Sequence, residues 1–224
     1  MILEIKIPEI YQKRFLKQEK FEFTQNERLI LLYGANGVGK SSLLNLIANN
    51  LQNSFLDNIE DEEHYTNTVI HDFTNKIPKI HYWKASEDTP LRNPQGVGLD
   101  SILNFSLLYD SKNHSEGESI QLTFQKHLEE LPDDLDILLI DELDSGLGAN
   151  MIHVCLFYLI GWLNKHPKTQ CFMSINNYHW IYLHKTIYRM DIGEFQDINN
   201  YEEFWNLTRD ISMKLLDKNK QREE

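Results

Sequence analysis

The sequence is poor in cysteine: Cys155 and Cys171 are the whole supply among 224 residues. Each lies inside an apolar run, so both are expected to act as buried small hydrophobes. Neither a disulfide framework nor a cysteine-built metal site can be made from two such residues. Basic residues are also in deficit, 22 against 34 acidic, for a formal net charge of −12. A dedicated nucleic-acid binder shows a basic patch, and this balance argues against one. Long hydrophobic runs are missing as well. The longest, VCLFYLIGWL, covers ten residues from Val154 to Leu163, about half of the ~20 that a bilayer-spanning helix needs. The opening MILEIKIPEIYQKRF alternates apolar and polar residues and lacks the charged-then-apolar layout of a secretion signal. The expectation is a soluble, cytoplasmic protein with no direct membrane insertion.

What remains is globular composition, 41% hydrophobic and 25% charged, in a chain long enough to bury a real core. It is expected to form a single domain over residues 1–224. Strands are predicted at residues 2–7, 21–26, 29–33, 68–73, 79–85, 137–140 and 171–175. Helices are predicted after residue 41, over 99–110 and 119–131, and over 149–163, where apolar residues recur at helical spacing. IYRMDIGEF suits a hairpin, and YEEFWNLTRDISMKLL suits a C-terminal helix followed by a charged tail. The acidic stretch DNIEDEEHYTN reads as a solvated loop or helix end. Strands alternating with helices imply an α/β fold with a mixed, mostly parallel central sheet flanked by helices.

One motif carries chemistry. Gly34-Ala-Asn-Gly-Val-Gly-Lys40-Ser41 matches G-x-x-x-x-G-K-S/T at every defined position, with a buried-type strand before it and an amphipathic helix after it. Glycines permit backbone angles that turn successive N–H groups toward a phosphate, and the following helix adds its N-terminal amides and dipole. Gly34, Asn36, Gly37, Val38, Gly39, Lys40, Ser41 and Ser42 are therefore the candidate ATP contacts. Lys40 supplies a point charge at the β/γ-phosphates, and the Ser41 hydroxyl suits Mg²⁺. The second metal anchor is expected at a strand end, where ILLI runs into Asp141. Glu142, one residue on, is the candidate general base.

The chain resembles the small soluble ABC-type ATPases of the SMC, Rad50 and RecF branch, proteins grouped under the AAA label, from about residue 20 to residue 180. The likeness rests on GANGVGKSS, on Ser115-Glu116-Gly117-Glu118 in the place of the S-x-G-E signature, on Asp141-Glu142-Leu143-Asp144-Ser145-Gly146-Leu147, and on the strand CFMSI. The resemblance implies a P-loop ATPase head with a small helical subdomain, here at 86–131, that contains the signature. It further implies a homodimer, ATP-dependent or constitutive, whose two heads pair head to tail. Ser115 and Gly117 would then meet the γ-phosphate held by the other head, and Asp144 would order the interface near the attacking water. From the residues alone, Ser115 with Glu118 also reads as a helix capping box.

Two departures from the family pattern stand out. The expected glutamine after the strand at 79–85 has two claimants, Gln95 and Glu87. The switch histidine is expected near Asn176, where the sequence reads SINN, and its place has two claimants, Asn176 and, three residues on, His179. Asparagine can hydrogen-bond a γ-phosphate but carries neither a transferable proton nor a charge, so hydrolysis is expected to be slow. By resemblance, such an ATPase regulates a separate effector chain in genome maintenance or phage defence, with nucleic acid reached only through that partner. The alternatives are a nucleotide-binding subunit of an ABC transporter and a slow or non-hydrolysing ATP switch.

Overall fold

The computed structural model describes residues 1–7, 18–23, 27–53, 69–71, 78–85, 115–177, 179–180 and 184–223. Its strands are β1 (Ile2–Lys6), β2 (Lys20–Glu22), β3 (Leu29–Tyr33), β4 (Val69–His71), β5 (Ile80–Lys84), β6 (Ile137–Asp141), β7 (Gln170–Ile175), β8 (Thr186–Arg189) and β9 (Glu194–Asp197). Its helices are α1 (Lys40–Asn53), α2 (Glu116–Glu130), α3 (Ala149–Lys165) and α4 (Tyr201–Glu223).

Among the described residues, six strands form the central sheet in the order β5-β6-β7-β3-β8-β9. β5 through β8 run parallel, and only β9 runs antiparallel, as the return arm of a hairpin with β8. The innermost strands read LILLY, ILLID and QCFMSI and are buried at every position. Such continuous apolar runs belong to parallel strands covered on both faces. The period of two still sorts their side chains. Leu31 and Tyr33 of β3, Leu138 and Ile140 of β6, and Met173 and Ile175 of β7 join the core on one face, with α2, α3 and α4. Ile30, Leu32, Ile137, Leu139 and Phe172 point the other way, onto α1 and the first strands.

α3 shows why its sequence folds as a helix against this sheet. Ile152, Cys155, Leu156, Leu159, Trp162 and Leu163 are buried at helical spacing, while Phe157 on the opposite side is 73% exposed. α4 docks through Phe204, Leu207 and Ile211, and its backbone stays helical through the charged segment to Glu223. A second, antiparallel sheet, β2-β1-β4, covers the α1 side. Gln170 ties it to the main sheet. Its buried amide accepts from Ile2 N–H at 2.7 Å and donates to Ile2 C=O at 3.2 Å, imitating a peptide group.

The mixed, mostly parallel sheet with flanking helices is the expected architecture. The strand predicted at 21–26 ends at Glu22, and of the one predicted at 68–73 the described part, Val69–His71, is strand. α2 begins at Glu116, three residues before the predicted start at 119. The acidic stretch at 57–67, the helix predicted at 99–110, and both Glu87 and Gln95 lie outside the described residues, as does most of 86–131. No helix among the described residues is long and apolar enough to cross a membrane.

Candidate nucleotide site

The loop between β3 and α1 needs its glycines for two different reasons. Gly37 and Gly39 have φ of +77° and +103°, backbone angles that side-chain-bearing residues rarely adopt. Gly34 is closed in instead: a Cβ there would stand 2.9 Å from Val38 Cγ1 and 3.3 Å from Met190 Cβ. The loop thus begins wedged against the end of β8 and then runs into the first turn of α1. Lys40 opens that helix and is only 8% exposed. Its ammonium donates to the carbonyls of Gly34 at 2.7 Å and Ala35 at 3.3 Å. Burial lowers its pKa, against an upward pull from the carboxylates of Asp144, Asp141 and Glu142.

Asp141 ends β6 and is 5% exposed. β6 pairs with β7 up to Ile140 and Met173, which brings Asp141 beside Ser174 at the C-terminal edge of the sheet. Three hydroxyls converge on its carboxylate. Ser174 and Ser41 donate to Oδ1 at 2.5 and 3.1 Å, and Tyr82 donates to Oδ2 at 3.3 Å. Ser174 Oγ also accepts the Glu142 N–H at 3.0 Å. Glu142 has φ of +57°, the left-handed region that costs a bulky residue of order 1–3 kcal/mol, and the bend turns its side chain out of the sheet.

A cleft of about 430 Å³ lies above these groups. Asn36, Gly37, Gly39, Lys40, Ser41 and Ser42 form one wall, and Glu142, Ser145, Ser174 and Asn176 the other. The structure therefore gathers most of the sequence candidates around one opening, with Asp141 held behind two lining residues, Ser41 and Ser174, and with Gly34 and Val38 not among the lining. Asn176, not His179, faces the cleft. The His179 ring instead stands 5.4 Å from that of His153 on α3, edge to face.

The remaining candidates sit elsewhere. Asp144 is 7% exposed and turns inward, its Oδ2 accepting the N–H groups of Asn176 and Asn177 at 2.6 and 2.7 Å. It latches the loop after β6 to the loop after β7 within one chain. Ser115 caps α2 in a two-way box with Glu118. Gly117 packs near the Gly146 carbonyl, to which a Cβ would come within 3.4 Å. Neither lines the cleft. Sequence reasoning missed Ser174, Ser145 and Tyr82. Ser174 had a signal, a hydroxyl in an otherwise apolar buried strand; Tyr82 had none, because only the pairing of β5 with β6, which sets it opposite Leu139, brings its hydroxyl within reach of Asp141.

The family model for the ATPase family associated with various cellular activities (AAA) matches residues 30–192. That span runs from the strand before the loop to the β8–β9 turn and takes in the whole cleft. The chain belongs to this AAA ATPase family. No curated protein matches the chain. Among solved structures, it is similar to a nucleotide-free ATP-binding cassette from an ABC transporter, at 16% identity and a TM-score of 0.47, covering 95% of this chain and 99% of the other. A dimeric ATP-binding cassette in a post-hydrolysis state, bound to ADP and Pi, is 14% identical with a TM-score of 0.46, over 89% and 97% of the two chains. A Streptococcus thermophilus protein is 11% identical with a TM-score of 0.48, over 90% and 77%.

For an AAA ATPase the cleft has a suitable inventory. Gly37, Gly39 and the N-terminus of α1 line it, and a glycine loop opening a helix favours an anion despite the acidic chain. Ser41 and Asp141 offer hard oxygen donors, the kind Mg²⁺ selects. The donor set fits that ion.

Proposed function

We propose that the chain binds Mg-ATP in this cleft and hydrolyses it slowly. The observation that carries the reading is the convergence of the Ser41 and Ser174 hydroxyls on Asp141, beside Lys40, with Glu142 entering the same cleft. The loop amides and Lys40 hold the phosphates, releasing the lysine from the Gly34 and Ala35 carbonyls. Ser41 and Asp141 would hold Mg²⁺, which would supply neutralising charge at the phosphates. Glu142 polarises the attacking water as general base. Asn176 can donate an amide hydrogen to the γ-phosphate but cannot take up a proton, which favours slow turnover.

The ABC-type pairing belongs to the same proposal. Ser115 and Gly117 stand at the N-terminus of α2, outside their own cleft, as they would if they completed the site of a second copy. The regulatory role on a separate effector chain, in genome maintenance or phage defence, rests on the resemblance to the SMC, Rad50 and RecF branch. A transporter subunit would carry the same cleft, and cofractionation with membranes separates the two. The central test is ATP turnover by the wild type against Glu142→Gln and Lys40→Ala. Both substitutions abolish a real activity, and turnover that survives them both removes this cleft as its source.

A further inference from the structure

Ser174 has a role that its position in an apolar strand conceals. It is 1% exposed, yet it is one of the residues that line the cleft. A serine hydroxyl has one proton to give and lone pairs to receive. Here the proton goes to Asp141 Oδ1 at 2.5 Å, and a lone pair takes the Glu142 amide at 3.0 Å. The same Asp141 oxygen accepts from Ser41, and Tyr82 reaches the other. One buried hydroxyl therefore joins the carboxylate assigned to the cation with the backbone of the residue assigned as base.

We propose that Ser174 is a positioning residue that sets cation affinity and base presentation together. By donating to Asp141 it holds the carboxylate rotamer that shares an oxygen with Ser41. By accepting from Glu142 it holds the left-handed bend that aims the glutamate into the cleft. Ser41 and Asp141 would hold Mg²⁺, and with the Ser41 hydroxyl so engaged Ser174 would be the hydroxyl that keeps Asp141 in place. The inference rests on the Mg-ATP reading and names how that site is preset. A hydroxyl that merely satisfied a buried amide would affect stability and leave the Mg²⁺ dependence alone.

The test uses the full chain and a fluorescent ATP analogue, titrated first in EDTA and then against Mg²⁺, with Ser174→Ala and Ser174→Thr beside the wild type. In EDTA the alanine variant binds within about twofold of the wild type, because the loop and Lys40 are untouched. Its half-saturating Mg²⁺ concentration rises about 10–100-fold, the usual effect of removing a partner that orients a metal ligand. The threonine variant keeps the hydroxyl and recovers most of that loss. Mg²⁺ curves that superpose for alanine and wild type overturn this proposal alone. A wild type that binds no nucleotide with or without Mg²⁺ overturns the Mg-ATP reading, and this inference with it.

Discussion

At the scale of single residues, the cleft places stability and function in opposition. Glu142 occupies a left-handed backbone angle, +57° in φ, that glycine takes without steric cost. Glu142→Gly is expected to raise the unfolding free energy by about 1 kcal/mol while removing ATP hydrolysis, as read by urea titration and phosphate release. Asp144 is the reverse case. Its carboxylate holds two backbone N–H groups after β7, and Asp144→Ala should cost about 1–3 kcal/mol as those donors lose their acceptor. Chemical denaturation of the variant checks this. Cys155 and Cys171 are inert by the same logic of burial. The Cys155 thiol is pushed up to about 12, and that of Cys171 also lies well above its ordinary value. Little thiolate forms at pH 8, so a thiol reagent should label the folded chain slowly and the urea-unfolded chain quickly.

At the scale of elements, the contact between β5 and α2 contains a proton-sensitive pair. The ring nitrogens Nε2 of His81 and His127 lie 2.5 Å apart, and burial, then the charge of His81, holds His127 down at about 4. Between that value and the ordinary 6.5 the unfolded chain binds more protons than the folded one. Stability therefore falls as pH drops through this window and levels off below about 4. His127→Asn should flatten the slope by up to about 3 kcal/mol across the window, against the background from the carboxylates. Unfolding titrations of both proteins from pH 7 to pH 4 measure the difference. Most element positions were legible before the fold was known. The interior strands announce themselves as LILLY, ILLID and QCFMSI, and the α2 cap as Ser115 with Glu118. The His81–His127 contact was not, because nothing local in HYWK or QKHLEE says that these strand and helix faces meet.

At the scale of the whole molecule, the proposed pairing of two copies has a direct readout. With ATP and Mg²⁺, Glu142→Gln is expected to elute as a dimer in size-exclusion chromatography, because nucleotide stays bound, while Lys40→Ala elutes as without nucleotide. Unchanged elution of both would count against completion of the cleft by a second Ser115 and Gly117. The two sheets within one copy are joined through Gln170, whose amide meets both polar groups of Ile2.

The phosphate loop, the acidic strand end and the order of strands and helices were determined locally, by glycine spacing and hydrophobic period. Those signals act between residues close in the chain, so the sequence displays them directly. The tertiary structure alone decided which polar groups share Asp141, that Asp144 turns inward, and that Asn176 rather than His179 faces the cleft. Each of these depends on the register of parallel strands whose partners are distant in sequence. Parallel pairing sets Ser174 beside Asp141 across 33 positions of chain, a separation that leaves no local pattern to read.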